Sequence, residues 1–174
     1  MPIRREGNNE SQRGDCMSRT LPDQPGLMAP GVVAATPTRV AEVMTREVVT
    51  LSPRHSFQEA ITLVARHRFR HLLVVGADAR LAGVISDRDL LRFMAREPHW
   101  DTATVAEVMK PQPVTVRSET PLSTAIAEML TRRINCLPVV DEAGRVCGIL
   151  TSTDLLQAFQ QIQAWIEQTG KASR

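Results

Sequence analysis

One segment of five residues occurs twice in this chain, and its two copies lie 65 positions apart. The sequence Val-Ala-Glu-Val-Met stands at residues 40–44 and again at residues 105–109. The same offset relates the two copies without a gap as far as residues 91 and 156, and about a third of the paired positions are identical. Such a repeat predicts two copies of one supersecondary unit that pack on each other, because a unit this small cannot bury its apolar face alone.

Both copies show the same order of patterns, namely strand, helix, strand, strand and helix. Runs of β-branched and aliphatic residues predict the strands, and apolar residues at helical spacing predict the helices. The predicted elements of the first copy are 48–51, 56–65, 72–75, 82–85 and 86–94, and those of the second copy are 114–116, 121–133, 137–140, 146–150 and a helix from 152 onward. The sequence therefore predicts an α+β fold built from two β-α-β-β-α units.

The repeat also sets the expected division of the chain. We expect a flexible leader at 1–38, which is rich in Pro and polar residues, a first unit at 39–98, a second unit at 99–160 and a helical extension at 161–174. The last helix carries an apolar stripe that runs past the repeat. This stripe either closes the core of the module or forms a seam between two protomers, and we favour the second alternative; its residues are Leu155, Phe159, Ile162 and Ile166.

Composition excludes several classes of function. Lys and Arg number 21 against 19 Asp and Glu, and aromatic residues make up 3% of the chain. A dedicated nucleic-acid-binding protein would carry a basic excess or aromatic stacking platforms, so we do not expect nucleic acid as a partner. The longest apolar runs are far shorter than a membrane helix, and no apolar run follows Arg4-Arg5. We therefore expect a cytoplasmic protein without a membrane partner.

The sequence contains no motif of a known catalytic machinery. It has no Gly-x-Ser-x-Gly segment and no phosphate-binding Walker loop, and His55 and His99 lack an evident acid partner. Its three cysteines, Cys16, Cys136 and Cys147, lack the spacing of metal ligands. We therefore predict a protein that is not an enzyme, has no metal site and requires no cofactor.

One polar signature occurs in both copies, as Gly83-Val84-Ile85-Ser86-Asp87-Arg88-Asp89 and as Gly148-Ile149-Leu150-Thr151-Ser152-Thr153-Asp154. A hydroxyl followed three residues later by an acid is typical of a capping box at a helix start. The same residues could also bind a ligand, since a helix start suits a phosphate and a carboxylate suits the paired hydroxyls of a ribose. The glycine would then let the ligand approach the backbone. Both interpretations remain open from the pattern alone.

These features together resemble the cystathionine β-synthase (CBS) domain family. The resemblance depends on the two signatures and on segments that precede them, namely Val43-Met44, Val49-Thr50 with Pro53, Arg70-His71-Leu72-Leu73-Val74-Val75 and Asn135-Cys136-Leu137-Pro138-Val139-Val140-Asp141. It covers residues 40–159, and it implies a tandem CBS pair whose two units are related by a pseudo-twofold axis. In this family, adenosine-containing ligands commonly bind in clefts between the units.

The resemblance implies a role for particular residues. Asp89 and Asp154 would bind the ribose hydroxyls, and Ser86 and Thr151 would bind phosphate or ribose oxygens. The adenine would lie between first-strand residues and the segments that precede the next strand, with methionines near the rim; these residues are Val49, Val114, Arg70, His71, Asn135, Cys136, Met44 and Met109. Which copy supplies which half of a cleft is left open.

Phosphate charge requires cations, and the two copies differ in this respect. The first signature contains Arg88, whereas the second has Thr153 at the equivalent position. The two sites should therefore differ, and the site with Arg88 should be better suited to several phosphates. Further candidate cations near the signatures are Arg68, Arg70, Arg132 and Arg133.

The resulting functional hypothesis is a regulatory module without catalytic activity. It would bind AMP, ADP, ATP or a related adenosyl ligand, form a homodimer and signal to a protein partner that the sequence does not identify. The alternative is a ligand-free dimerisation or protein-interaction module, in which both signatures are helix caps alone.

Overall fold

The computed structural model describes residues 36–67 and 69–172, with side chains as far as residue 169. Most of the predicted leader, together with Cys16 and Arg68, therefore lies outside the described residues. The helices are α1 (Phe57–His67), α2 (Asp87–Arg96), α3 (Val105–Val108), α4 (Leu122–Arg132) and α5 (Ser152–Ala172). The strands are β1 (Thr50–Leu51), β2 (His71–Val75), β3 (Leu81–Ser86), β4 (Lys110–Pro111), β5 (Cys136–Val140) and β6 (Val146–Thr151).

The strands form two sheets, and one of these contains residues of both copies. The first sheet has the order β1-β2-β3-β4, in which β1 and β2 are parallel and the other pairs are antiparallel. Strand β4 comes from the second copy but pairs with β3 of the first. Strands β5 and β6 form the second, antiparallel sheet. The expected strand at 114–116 is reduced to one parallel bridge, between Val116 and Val139.

Backbone bridges between the copies occur in equivalent pairs. Thr45 bridges Ile149, and the positions equivalent to both, Lys110 and Val84, also pair. Arg80 bridges Arg145, which is its own equivalent in the second copy. A contact that recurs with its partners exchanged is the mark of an isologous, twofold arrangement. The predicted α+β fold with two pseudo-twofold-related units is therefore confirmed.

The leading segment of each copy, which is residues 40–49 in the first and 105–114 in the second, packs against the other copy and contributes buried residues to its core. Val40 and Met44 of the first copy belong to a buried cluster with Leu137 and Leu150 of the second. Conversely, Val105 is buried in a cluster of first-copy residues that includes Phe57 and Leu72. The two units therefore share their cores, and neither copy can lose its partner without exposing apolar surface.

The glycine of each signature allows this crossing of the chain. A Cβ atom at Gly83 would lie 2.8 Å from the backbone oxygen of Lys110, and one at Gly148 would lie 2.7 Å from the backbone oxygen of Thr45. Both distances are too short for a side chain. The expectation that these glycines let a ligand approach the backbone is therefore wrong, because the leading segment of the other copy occupies the space beside them.

The apolar stripe of α5 is divided between the core and the surface. Leu155 and Ile162 are half-buried and line a shallow groove with Leu122 of α4, whereas Phe159 and Ile166 are 58% and 48% exposed. In the part of the chain that the structure describes, no helix is long and apolar enough to cross a membrane.

Candidate functional site: two clefts between the copies

Two cavities lie where the copies meet. The first, of about 340 Å³, contains Asp154 and is called the Asp154 cleft below. The second, of about 370 Å³, contains Asp89 and is called the Asp89 cleft. Both volumes fall within the range of small-molecule sites, although at its lower end. Each cleft is therefore large enough to receive a compact polar ligand.

Each cleft combines the signature of one copy with the leading segment of the other. Thr151 and Asp154 of the second copy line the Asp154 cleft together with Thr45 and Val49 of the first. The Asp89 cleft has the reverse composition: its signature residues are Ser86, Arg88 and Asp89, and the opposite wall is formed by Lys110 and Val114. This crossed arrangement answers the question that the sequence left open.

One oxygen of each signature carboxylate caps a helix. Asp89 Oδ2 accepts hydrogen bonds from the Ser86 backbone N–H at 3.0 Å and from the Ser86 hydroxyl, while Ser86 Oγ accepts from the Asp89 N–H at 3.1 Å. Thr151 and Asp154 repeat this geometry, with 2.7 Å from the Thr151 N–H to Asp154 Oδ2. The capping-box interpretation of the signature therefore holds in both copies.

The other oxygen of each carboxylate contacts the leading segment of the opposite copy. Thr45 Oγ1 donates to Asp154 Oδ1 at 2.9 Å, and Lys110 Nζ lies 2.7 Å from Asp89 Oδ1. Burial would raise the pKa of the Asp89 carboxyl, but the hydrogen bonds from Lys110 and Ser86 outweigh it and hold this pKa below its usual value. Asp89 therefore stays ionised and can accept hydrogen bonds from a ligand.

Apart from the Arg70 guanidinium, the wall expected to contact adenine is neutral. Arg70, His71 and Asn135 line both clefts, and Cys136 lines the Asp89 cleft. Burial lowers the pKa of His71 below its usual value, with Asp87 acting in the opposite direction. Burial also raises the pKa of the Cys136 thiol to about 11, so this thiol is protonated near neutral pH. A neutral wall suits a neutral aromatic base.

Some residues that were expected to contact a ligand do not line either cleft. Met44 is 7% exposed, and its sulfur lies 3.2 Å from the Cβ position of Gly148, while the Met109 sulfur lies 2.8 Å from the Cβ position of Gly83. Both methionines fill the space that these glycines leave, so the structure places them behind the clefts and not at their rims. Arg132 pairs instead with Glu128 at 2.6 Å.

Thr45, Lys110 and Arg92 are among the cleft residues that were not identified from the sequence patterns. Thr45 and Lys110 directly follow the identical five-residue segments, and Arg92 follows Arg88 by one helical turn. The signal for Thr45 and Lys110 was available, because they are the first mismatch after a perfect repeat. A search for residues that the copies share overlooks both, because the copies differ at this position.

The two clefts differ in charge. The Asp154 cleft is lined by Arg70 against the two acids Glu47 and Asp154. The Asp89 cleft opposes two acids, Asp87 and Asp89, with five cationic side chains, which are Arg70, Arg88, Arg92, Lys110 and Arg133. A positively charged cleft favours anionic ligands.

Neither cleft has the donor set of a metal centre. Within residues 36–67 and 69–172, no group of three or more His, Cys, Asp or Glu side chains could hold a metal ion. The polar groups of the clefts are instead hydroxyls, carboxylates at helix starts and cationic side chains, which suit sugar hydroxyls and phosphates.

A family comparison matches both copies. The model of the CBS domain family matches residues 40–96 and 105–161. Among curated proteins, the arabinose 5-phosphate isomerase KpsF of Escherichia coli is 33% identical over 117 residues, which is 67% of this chain. The match spans 36% of KpsF, so this chain corresponds to about a third of that relative.

Solved structures resemble the chain over most of their own length. CBSX2 of Arabidopsis thaliana, crystallised in complex with AMP, has a TM-score of 0.67 and 30% identity, covering 73% of this chain and 99% of that one. The CBS domain pair of protein MJ0100, in complex with 5′-methylthioadenosine and S-adenosyl-L-methionine, has a TM-score of 0.65 and 27% identity, covering 71% and 97% respectively.

Proposed function

The chain belongs to the CBS domain family, and from this membership and the geometry of its clefts we propose that it is a regulatory module that binds an adenosine-containing ligand. The ligand would be AMP, ADP, ATP or a related adenosyl compound. The module would act in the cytoplasm, require no cofactor and have no catalytic activity of its own.

The observation that carries the proposal is the carboxylate at each helix start. Asp89 and Asp154 each use one oxygen for the cap and direct the other at a residue across the cleft. That second oxygen is positioned to accept hydrogen bonds from a ribose diol, as an acidic residue does in dinucleotide-binding folds. Hydrogen bonds to an ionised carboxylate are among the stronger ones in proteins.

The remaining walls of each cleft suit the other parts of the same ligand. Val49 in the Asp154 cleft and Val114 in the Asp89 cleft supply an aliphatic surface for the adenine ring, and Arg70, His71 and Asn135 line the same clefts. Ser86 and Thr151 supply hydroxyls at the starts of α2 and α5, where a helix attracts negative charge. The related structures with AMP and with S-adenosyl-L-methionine support the ligand class.

Regulation would follow from the crossed construction of the clefts. A ligand in either cleft contacts residues of both copies, so its affinity depends on how the copies are arranged. A ligand that prefers one arrangement shifts the population toward it, and couplings of about 1–3 kcal/mol are typical. A protein partner that contacts both copies would sense this shift.

We further propose that the module forms a homodimer. Leu91 of α2 and Leu156 of α5 are equivalent in the repeat and are 67% and 68% exposed, and Phe159 is 58% exposed beside Leu156. Exposed apolar residues that recur on symmetry-equivalent helices are typical of a protein interface. The same residues favour the second candidate function, which is a ligand-free dimerisation or interaction module.

Replacing the carboxylates separates the two candidates. Asp89→Ala should abolish AMP binding at the Asp89 cleft, and Asp154→Ala should do so at the Asp154 cleft, as measured by calorimetric titration. Each change also removes a capping box and should lower the free energy of unfolding by about 1 kcal/mol. Stability alone therefore cannot distinguish a binding residue from a cap.

The control is a capping box outside the clefts. Glu59 accepts hydrogen bonds from the Ser56 backbone N–H at 2.7 Å and from the Ser56 hydroxyl at 2.8 Å at the start of α1. Glu59→Ala should cost similar stability and leave AMP binding unchanged. If folded wild-type protein bound none of AMP, ADP, ATP and S-adenosyl-L-methionine, the ligand-free candidate would replace the proposed function.

A further inference from the structure

The two clefts differ at one pair of equivalent positions that contacts the same carboxylate oxygen. Thr45 donates its hydroxyl proton to Asp154 Oδ1 at 2.9 Å, whereas Lys110 places its ammonium group 2.7 Å from Asp89 Oδ1. In both clefts the remaining oxygen, Oδ2, is committed to the helix cap. A ribose diol must therefore compete with Thr45 in one cleft and with Lys110 in the other.

From this difference we propose that Lys110 makes a ligand phosphate a requirement at the Asp89 cleft, while the Asp154 cleft accepts an adenosyl group with or without phosphate. The inference rests on the proposed adenosine binding and assigns a ligand preference to each cleft. Lys110 is thereby a specificity-determining residue, because it exchanges the Asp89 carboxylate for the ligand phosphate as its anionic partner.

The cost of displacing the two residues differs in kind. Thr45 is exposed, so its hydroxyl can turn to water when a ligand hydroxyl takes its place, and one hydroxyl-to-carboxylate hydrogen bond is then exchanged for another. Asp89 is 11% exposed at its side chain, and the Lys110 ammonium is its cationic partner. A ligand that displaces Lys110 without offering another anion leaves this ion pair broken inside the cleft.

A phosphate removes that cost because it supplies the replacement anion. The Lys110 side chain is 63% exposed, so it is free to swing from Asp89 toward a phosphate at the mouth of the cleft while the ribose hydroxyls take over Asp89 Oδ1. Arg88, Arg92 and Arg133 line the same cleft and favour the phosphate further. Adenosine has no such group, and S-adenosyl-L-methionine carries a cationic sulfonium in its place.

The chain offers a reciprocal exchange as the test. Each cleft is studied by itself in a background that inactivates the other, with Asp154→Ala for the Asp89 cleft and Asp89→Ala for the Asp154 cleft. Adenosine and AMP are titrated calorimetrically into each protein, and circular dichroism verifies folding. In the Asp154→Ala background, we expect AMP to bind at least tenfold more tightly than adenosine.

Lys110→Thr should then change the two affinities in opposite directions. Adenosine should bind more tightly because the ion pair no longer competes, AMP should bind more weakly, and the ratio of their affinities should fall about tenfold. In the Asp89→Ala background, Thr45→Lys should raise the same ratio. The matched control Arg92→Thr removes a cation that does not contact Asp89, so it should weaken AMP and leave adenosine unchanged.

The outcomes separate this inference from the function on which it rests. If Lys110→Thr weakens AMP without tightening adenosine, as Arg92→Thr does, Lys110 is one more phosphate-attracting charge and the inference is wrong. If neither Lys110→Thr nor Thr45→Lys changes the ratio of AMP to adenosine affinity, the inference is also wrong, while the proposed adenosine binding is retained. If neither compound binds any folded variant, the proposed function fails together with the inference.

Discussion

Gly148→Ala should destabilise the protein by about 3 kcal/mol, as overpacking of a buried and rigid site does. The added Cβ would lie 2.7 Å from the backbone oxygen of Thr45, and this oxygen accepts a hydrogen bond from the Ile149 N–H at 2.9 Å. Neither partner is a flexible side-chain end, so the leading segment must move away. Urea unfolding followed by circular dichroism measures the loss.

Two glycine variants calibrate this result. Gly83→Ala should cost a similar amount, since its Cβ would lie 2.8 Å from the backbone oxygen of Lys110. Gly76→Ala should change the free energy of unfolding by less than about 1 kcal/mol, because its close neighbour is the end of the exposed Asp78 side chain. Equal effects of Gly76→Ala and Gly148→Ala would contradict the chain crossing described here.

Phe57→Ala should lower the free energy of unfolding by about 4 kcal/mol, which is typical of removing a fully buried aromatic side chain. Phe57 is 0% exposed, and its ring centroid lies 5.4 Å from that of Phe93 and 5.6 Å from that of Trp100. Trp100 precedes the leading segment of the second copy, so the loss should loosen the attachment of that segment as well. Urea unfolding gives the magnitude.

The repeat supplies the conservative control for this position. Leu122 is the equivalent of Phe57 and is 8% exposed. Phe57→Leu, which transfers the second-copy residue to the first copy, should retain most of the stability because an aliphatic side chain fills much of the same space. A loss as large as that of Phe57→Ala would mean that the ring contacts, and not the buried volume, stabilise this cluster.

The fold could be predicted because the repeat constrains it strongly. A gapless offset relates residues 40–91 to residues 105–156 and so fixes which elements are equivalent. The strand and helix patterns then follow in the same order in each copy. The structure departs from that prediction at residues 114–116, where the chain makes one bridge instead of a strand, and in having α3 and β4, which the patterns did not predict. A three-residue segment makes so few hydrogen bonds to a neighbouring strand that its own sequence does not determine whether it forms a strand.

The assembly of the clefts could not be predicted from the same repeat. An offset tells which residues are equivalent within the copies, but it does not tell which copy faces which. The answer lies in long-range contacts, such as the Cβ position of Gly148 against Thr45, and these have no local signal. For the same reason Met44 was placed at a rim, although its sulfur packs behind Gly148.

The residues that differ between the copies carry the information on specificity. The shared aspartates define what both clefts have in common. The clefts diverge at one pair of equivalent positions, where the first copy has Thr45 and the second copy has Lys110. A search for shared motifs therefore finds the diol-binding carboxylates and overlooks the charge that distinguishes the clefts. In a duplicated module, the mismatches nearest to a shared functional residue are the next places to examine.

The ribose diol allows the most direct test of the proposed function, because every other step assumes that the sugar binds at the Asp89 and Asp154 carboxylates. Calorimetric titration of the folded wild-type protein with AMP and with 2′,3′-dideoxy-AMP compares two ligands that share the base and the phosphate. We expect AMP to bind and the dideoxy compound to bind at least tenfold more weakly, since it leaves Asp89 Oδ1 and Asp154 Oδ1 without the hydroxyls that replace Lys110 and Thr45. Equal affinities for the two compounds would contradict the account.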